Sequence, residues 1–331
     1  MNIKDSWLIN GFVDNPVGKD INLSDAIKKL KEEKNAVIMA HYYQKDEIQD
    51  IADVVGDSLV LAQKAAETDA DIILLSGVHF MGETAKILSP EKKVLVPDMN
   101  AGCSLADSCP ADSFEEFIKK HPGHTVVSYV NTTAAVKAIT DIVVTSTNAK
   151  AVIDSLPEDE KIIFGPDRNL GSYINSITGR NMILWDGACH VHEKFSEQKI
   201  VELKKQYPDA EVLAHPECKN TILSLADHVG STASILNYSK KSNSEKFIVA
   251  TESGILHQMK LSNPDKMFIP APPNDSTNAC NDCEYMKLNS LEKIYNTLLY
   301  EWPEVVVDEN IRVKAVRPIE RMLEISKKYG L

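Results

Sequence analysis

Short apolar runs alternate with longer amphipathic stretches along most of the chain, and this pattern is typical of parallel strands covered by helices. In the middle of the chain, strands are expected near residues 125–129, 142–145, 161–164 and 182–185. Helices are expected between them, for example across 131–139 and 147–155. The chain is therefore predicted to have an α/β fold.

Two further helical regions lie outside this alternation. Residues 20–35 form an amphipathic pattern, and Ser24 is its expected N-cap. Residues 288–331 are predicted to form two helices separated at Trp302-Pro303.

The same succession of apolar and polar positions occurs three times. Its anchors are His41 in AVIMAHYYQ, Tyr129 in TVVSYVNTT and His215 in EVLAHPECK, spaced 88 and 86 residues apart. An aspartate follows each anchor after 12 residues and a hydroxyl residue after 17, namely Asp53, Asp141 and Asp227, and Ser58, Ser146 and Thr232. A third landmark stands 35 residues after each anchor, at Ser76, Phe164 and Ala250. Agreement at several offsets indicates an internal repeat, although strand–helix alternation alone gives loose periodicity.

The repeat predicts three homologous three-layer α/β/α domains with parallel sheets, arranged around a pseudo-threefold axis. The expected boundaries are 1–112 together with the C-terminal helices 288–331, then 113–196, then 197–287. Active groups of such folds gather at the carboxyl ends of the strands, where the three anchors stand. We therefore expect the three units to face one central cavity.

Composition narrows the class of protein. The 331 residues carry 36 Lys and Arg against 48 Asp and Glu, a net charge of −12, which disfavours nucleic acid and anionic membranes as partners. The chain has neither an apolar run long enough for a membrane span nor a secretory signal pattern, so we expect a cytoplasmic protein without membrane partners. Six cysteines in such a chain point to metal binding, catalysis or burial.

Three of the cysteines end a repeat unit. Cys103, Cys189 and Cys283 follow their anchors by 62, 60 and 68 residues. Three convergent thiolates suit a [4Fe–4S] cluster in which one iron stays open to act as a Lewis acid. The Cys280/Cys283 pair also has the spacing of a zinc or redox motif. Cys109 and Cys218 have no repeat partner and are expected to be buried free cysteines.

Other side chains at these positions suggest acid–base chemistry and anion binding. Glu217 and Tyr43 each lie two residues after a histidine anchor and are candidate proton-transfer groups. The repeated hydroxyls stand where a helix should begin, so they either cap that helix or bind an anion there. Asn131 is a candidate amide donor, and the repeated aspartates are expected to fix loop geometry. His190 and His192 follow Cys189 and are candidates for contact with the metal ligands.

Motifs over residues 38–287 resemble the quinolinate synthase family in family order: AHYYQ, ADVVGDS, AGCSLADSCP, YVNTTAAVKAITD, TSTNA, GPDRNLG, WDGACHVHE, AHPEC, ADHVGSTA, ATESGI and CEYM. The resemblance implies a transferase of NAD biosynthesis that condenses iminosuccinate with dihydroxyacetone phosphate, giving quinolinate, phosphate and water. It also implies one [4Fe–4S] cluster with three cysteine ligands and one open iron. An L-aspartate oxidase or aspartate dehydrogenase would supply the iminosuccinate.

Carried over motif by motif, the resemblance implies Cys103, Cys189 and Cys283 as cluster ligands, with Tyr43, Glu217, His41 and His215 as catalytic groups. The implied substrate contacts are His41, Ser58, Tyr129, Val130, Asn131, Ser146, His215, Pro216, Glu217 and Thr232. The family often has a third cysteine where this chain has Thr277, and a proline where it has Glu284. The choice of Cys283 over Cys280 therefore rests on the Tyr-Met that follows Glu284.

Three other functions compete with this interpretation. A hydro-lyase of the aconitase kind would share the three-thiolate cluster but use no phosphorylated substrate. An iron- or redox-sensing regulator would need a basic nucleic-acid-binding element, which the sequence lacks. A structural zinc protein would hold zinc in place of about four irons.

Overall fold

The computed structural model describes residues 3–274 and 281–331. Its described residues form three four-stranded sheets in which all strands are parallel, and each sheet has the order second, first, third, fourth strand. Contacts divide the chain into two compact units, Met1–Cys103 with Glu284–Val316, and Ser104–Cys283 with Arg317–Leu331. The predicted fold class is confirmed. The three-domain boundaries and the threefold axis stay predictions.

The first unit contains the first sheet. Its elements are α1 (Ile3–Asn10), α2 (Leu23–Glu33), β1 (Ala36–His41), α3 (Asp46–Ile51), β2 (Val54–Gly56), α4 (Ser58–Glu67), β3 (Ile72–Ser76), α5 (His79–Leu88) and β4 (Lys93–Leu95). Every residue of β3 is buried, as expected for a parallel strand covered on both faces.

The second unit contains the other two sheets. The second sheet and its helices are α6 (Ser104–Asp107), α7 (Ala111–Lys119), β5 (Thr125–Tyr129), α8 (Ala134–Lys137), β6 (Ile142–Val144), α9 (Ala149–Asp154), β7 (Ile162–Gly165), α10 (Arg168–Thr178) and β8 (Ile183–Leu184). The third comprises α11 (His190–Glu193), α12 (Glu197–Gln206), β9 (Glu211–Ala214), α13 (Asn220–Leu223), β10 (His228–Val229), α14 (Thr232–Lys241), β11 (Lys246–Ala250), α15 (Ile255–Ser262) and β12 (Met267–Pro270).

The C-terminal region forms a 3-10 turn (Met286–Leu288), α16 (Leu291–Tyr300) and α17 (Glu309–Lys328). The two predicted tail helices are thus confirmed, with the Trp302–Pro303 bond between them in the cis form. Helix α16 packs on α2 in the first unit, through Ile294 and Leu298. Within the described residues, no helix combines the length and the apolar character that a membrane crossing requires.

The repeated aspartates perform the structural role that the sequence predicts. One carboxylate oxygen of Asp53 accepts the amide of Ile38 at 2.9 Å, and those of Asp141 and Asp227 accept the amides of Val126 and Val212 at 2.8 Å each. Each aspartate amide in turn donates to the carbonyl of the same strand residue. This reciprocal pair fixes the loop before the second strand of all three sheets.

Two sequence predictions are wrong in detail. Helix α2 is capped by Asn22 instead of Ser24, because the Asn22 side chain reaches the amide of Asp25, three residues into the helix. The third landmark of the second repeat is Gly165, not Phe164. In the first sheet, Ser76 pairs with Ala40, the residue before the anchor His41. In the second sheet, the residue before the anchor Tyr129 is Ser128, and it pairs with Gly165. One extra residue in the second repeat causes the shift.

Candidate active site

Two of the repeat anchors meet in the second unit, at the carboxyl ends of β5 and β9. Tyr129 is the last residue of β5, and His215 directly follows β9. The Tyr129 hydroxyl donates to Oε1 of Glu217 at 2.6 Å. The intervening Pro216 is buried, and Glu217 itself is only 3% exposed. The expectation that strand ends bring these side chains together is confirmed within this unit.

Glu217 is surrounded by groups that stabilise its anion. Nδ1 of His192 lies 3.0 Å from Oε2, and Nδ1 of His215 lies 3.8 Å from Oε1. Burial alone would raise the pKa of Glu217, but His192, His215 and the Tyr129 hydrogen bond together lower it below the ordinary glutamate value. The buried carboxylate is therefore ionised at neutral pH and can accept a proton.

The orientation of His215 is set by its two ring nitrogens. The amide of Glu217 donates to Nδ1 at 3.3 Å, and Nε2 lies 3.2 Å from Oγ of Ser146. Because the Glu217 amide occupies Nδ1, Nε2 is the ring nitrogen that faces Ser146 and can carry a proton toward it. The structure thus brings the predicted Ser146 to the predicted His215.

His192 lies closer to the centre of this site than its sequence position indicated. Cys189 caps α11 and His192 is the third residue of that helix, so the spacing of three places both on one face. Nδ1 of His192 lies 3.2 Å from Sγ of Cys189, and Nε2 lies 3.0 Å from Oγ1 of Thr251. The expected contact with Cys189 is confirmed, whereas the contact with Glu217 was missed. The Cys-x-x-His spacing was the sequence signal that could have placed His192 in this site. His190 points elsewhere, to Oγ of Ser104 at 2.5 Å.

Cys189, His192 and Glu217 form a group of potential metal ligands. One ligand atom from each lies within 4.8 Å of the other two. Both His192 and Glu217 are buried, so few waters compete for their ligand atoms.

The GPDRNLG motif holds this group from the β7–α10 junction, a role that the sequence did not reveal. Oδ2 of Asp167 accepts the amide of Cys189 at 3.2 Å, and Oδ1 accepts the amide of Leu170 at 2.7 Å. Burial, and then the nearby Glu217 charge, raise the pKa of Asp167 well above its ordinary range. Nδ2 of Asn169 donates to the Glu217 carbonyl at 3.1 Å and to Oε1 of Glu193 at 2.7 Å.

The backbone before Cys283 has a similar support. Glu252, from the ATESGI motif, is 1% exposed, and its two oxygens accept the amides of Cys283 at 3.2 Å and Gly254 at 2.7 Å. Cys280 and Thr277 lie outside the described residues. The choice of Cys283 over Cys280 as the third ligand therefore stays a prediction.

The loop after β5 is held by a buried lysine. Lys137 has no exposed surface, and Nζ donates to the carbonyl of Val130 at 2.8 Å and to the carbonyl of Thr132. These carbonyls flank Asn131. Among the described residues, no hydrogen-bond partner is present for the buried Oδ1 of Asn131. An acceptor in this state suits a ligand that brings an N–H or O–H group.

The three repeated hydroxyls are not the helix caps. Asp57 accepts the amides of Leu59 and Val60 at 3.1 Å and caps α4, which leaves Ser58 as the first helical residue. Ser231 likewise caps α14 ahead of Thr232. Ser146 lies in the turn before α9. The capping explanation for these hydroxyls is therefore wrong.

The first unit repeats the histidine geometry of the second. His41 ends β1, and its Nδ1 accepts the amide of Tyr43 at 3.2 Å, just as His215 accepts the amide of Glu217. The ring centroids of His41 and Tyr43 lie 4.5 Å apart, edge to face. Lys287 donates to the Tyr43 carbonyl at 2.8 Å. Tyr43 and Glu217 thus occupy corresponding positions in their repeats.

Burial separates the described cysteines into two groups. Cys103, Cys189 and Cys283 are half-buried, whereas Cys109 and Cys218 have no exposed surface. Burial raises the pKa of the Cys109 thiol to about 12, and it raises the pKa of Cys218 as well. Because metals bind the thiolate, the buried pair is the less suitable one for a cluster.

Three parallel sheets, with an ionised carboxylate held between two histidines and a thiol at the strand ends, define an α/β enzyme with a candidate metal centre. The family model described as "Quinolinate synthetase A protein" matches residues 25–324. The quinolinate synthase of Rippkaea orientalis is 57% identical over 305 residues, covering 92% of this chain and 94% of the relative. That of Chloroherpeton thalassium is 54% identical over 307 residues, covering 93% and 95% respectively. The chain belongs to the quinolinate synthase family.

Proposed function

We propose that the chain condenses iminosuccinate with dihydroxyacetone phosphate, forming quinolinate and releasing phosphate and two molecules of water. The match of the family model over residues 25–324 carries this proposal. The polar groups around Glu217 support it, because ring formation and two dehydrations require a base and an acid at the substrate. The product would enter NAD biosynthesis in the cytoplasm. An L-aspartate oxidase or aspartate dehydrogenase would supply iminosuccinate.

Anion binding is assigned to the helix N-termini that carry Ser58 and Thr232. Both substrates are anions, and a helix N-terminus offers amide donors with partial positive charge. Asp57 caps α4 and Ser231 caps α14, so the hydroxyls of Ser58 and Thr232 do not serve as helix caps. Local donors of this kind can bind anions although the chain carries a net charge of −12.

Proton transfer is assigned to Glu217 and Tyr43. The lowered pKa of Glu217 favours its carboxylate form, so we assign it to act first as a base, with the Tyr129 hydroxyl 2.6 Å away as the group that shares the proton. Tyr43 stands at the matching position of the first repeat and is the second proton-transfer group. His41 and His215 have Nδ1 engaged with the backbone, so their Nε2–H groups are the ones that orient substrate oxygens.

Further substrate contacts are assigned to the loop after β5 and to the strand end before α9. Lys137 holds the backbone at Val130, which presents Asn131 as an acceptor for a substrate N–H or O–H group. Tyr129, which donates to Glu217, and Ser146, which lies beside His215, are assigned as substrate contacts together with Pro216.

A [4Fe–4S] cluster would be held by Cys103, Cys189 and Cys283, the half-buried thiols of the described residues. The amides of Cys189 and Cys283 are fixed by the buried carboxylates Asp167 and Glu252, which supports preformed ligand loops. Such a cluster, with three protein ligands, would supply Lewis-acid chemistry for dehydration through its open iron.

Product identification tests the proposal. The anaerobically purified, reconstituted chain is incubated with iminosuccinate, with and without dihydroxyacetone phosphate, and quinolinate is measured by mass spectrometry. Quinolinate and phosphate should appear together, and only when both substrates are present. Hydration or dehydration of small carboxylic acids without any quinolinate would instead support the aconitase-like function.

A further inference from the structure

We propose that Cys189, His192 and Glu217 bind a single divalent ion of the Zn²⁺ type when the chain lacks its iron–sulfur cluster. The inference rests on the proposed function only in that Cys189 is also assigned to the cluster. The three ligands lie in the second unit and come from the start of α11 and the segment after β9.

The distances between the ligand atoms are close to those around a bound zinc. Nδ1 of His192 lies 3.2 Å from Sγ of Cys189 and 3.0 Å from Oε2 of Glu217. Zinc bonds of about 2.3 Å to sulfur and about 2.0–2.2 Å to nitrogen and oxygen give tetrahedral edges of roughly 3.3–3.6 Å. These two pairs need to separate by only a few tenths of an ångström, and the third pair, Cys189 with Glu217, lies within 4.8 Å. The ion replaces the thiol proton of Cys189, while the neutral imidazole binds through Nδ1 and carries its proton on Nε2, so the thiol proton is the one released.

The charges and ligand types select a transition metal. One thiolate and one carboxylate balance the two charges of the ion, and the imidazole is neutral. Sulfur and imidazole ligands favour Zn²⁺, Co²⁺ or Fe²⁺ over Mg²⁺ or Ca²⁺, which prefer oxygen. Three protein ligands also leave a fourth position for water.

Two of the three ligands, His192 and Glu217, are already oriented by a second contact. Nε2 of His192 lies 3.0 Å from Oγ1 of Thr251, which leaves Nδ1 for the ion. Oε1 of Glu217 accepts the Tyr129 hydroxyl, whereas Oε2 faces Nδ1 of His192 at 3.0 Å and is the oxygen placed to share an ion with that nitrogen. Such contacts to the ligands typically change metal affinity by about 10–100-fold.

The consequence for the enzyme is competition. An ion at this site occupies the Cys189 thiolate that the cluster needs and the Glu217 carboxylate that catalysis needs. Zinc-type ions should therefore delay cluster assembly in the empty chain.

Cobalt binding to the full chain without its cluster tests the site without any substrate. The cluster is removed with a chelator under anaerobic conditions, Co²⁺ is titrated, and bound metal is counted by elemental analysis. We expect one Co²⁺ per chain, with the thiolate-to-cobalt absorption and tetrahedral bands, and release by Zn²⁺. His192→Ala should weaken binding at least tenfold, while Cys103→Ala and the buried control Cys218→Ala should bind like the parent chain.

Two results would overturn the proposal. One is Co²⁺ binding that is unchanged in His192→Ala, and the other is binding that is lost in Cys103→Ala, which would put the ion on the cluster cysteines. His192→Gln serves as a second variant, and circular dichroism checks that both stay folded. The cobalt titration uses neither substrate nor cluster. A chain that makes no quinolinate would therefore argue against the proposed function without affecting the result for this metal site.

A rate measurement tests directly whether Zn²⁺ competes with cluster assembly. Iron uptake during reconstitution is followed with and without one equivalent of Zn²⁺. Zinc should slow the uptake several-fold in the parent chain and much less in His192→Ala. Equal slowing in both chains would contradict the competition.

Discussion

Asn169 should hold Glu217 in its working position without touching substrate. Its Nδ2 group makes two hydrogen bonds, to the Glu217 carbonyl at 3.1 Å and to Oε1 of Glu193 at 2.7 Å. A bond between neutral groups is worth about 0.5–1.5 kcal/mol and one to a charged group about 1.5–3 kcal/mol. Asn169→Ala therefore removes roughly 2–4.5 kcal/mol of local restraint. A displacement of the reacting group of about 1 Å can cost about 10²-fold in turnover.

Asn169→Asp distinguishes a hydrogen-bonding role of Asn169 from a role in filling space. Asn169→Asp keeps the shape of the side chain but turns the donor into an acceptor that faces the Glu193 carboxylate and the Glu217 carbonyl. Arg168, 3.1 Å from the same Glu193 oxygen, screens only part of the repulsion. We therefore expect Asn169→Asp to lose more activity than Asn169→Ala, the reverse of what a purely space-filling role would give.

The assay is kcat and KM for quinolinate formation, at matched iron content. Asn175→Ala is the control on the same helix, because Asn175 bonds to Met182 and not to the Glu217 segment. A fall in kcat of about 10²-fold with iron content retained is expected for Asn169→Ala. Parent-like kcat in Asn169→Ala, or in Asn169→Asp, would refute the positioning role.

Three further predictions concern the cluster, the fold and substrate binding. Cys283→Ala should lose most of its iron after reconstitution, whereas Cys218→Ala should keep it; iron retained in Cys283→Ala would move the third ligand elsewhere. Asp141→Ala should lower the free energy of unfolding by about 1–3 kcal/mol in urea titrations, because the amide of Val126 in β5 loses its side-chain acceptor. An unchanged midpoint of the urea transition would contradict this. Lys137→Met should raise KM about tenfold by releasing the loop that carries Asn131, since a tenfold change corresponds to about 1.4 kcal/mol; an unchanged KM would exclude that role.

The repeat made much of the fold predictable. Offsets from His41, Tyr129 and His215 located equivalent strands, and the bonds of Asp53, Asp141 and Asp227 confirm their shared loop role. The offset failed at Phe164, because one inserted residue shifts the register and pattern matching alone cannot place an insertion.

The contacts around Glu217 were predictable only in part. Its role beside His215 followed from their adjacency in sequence. Asp167 and Asn169 were missed because they act through the backbone of Cys189 and Glu217, and such bonds leave no trace in residue spacing. Lys137 was missed because a lysine is seldom fully buried, and only its two carbonyl partners explain it.

Quinolinate formation by Glu217→Gln, compared with the parent chain at equal iron content, tests the account most directly. The amide keeps the size of the side chain but cannot accept the proton. We predict that the variant holds about four irons per chain, as the parent does, while its turnover falls about 10²–10⁴-fold. Parent-like turnover in the iron-loaded variant would contradict the central role assigned to Glu217.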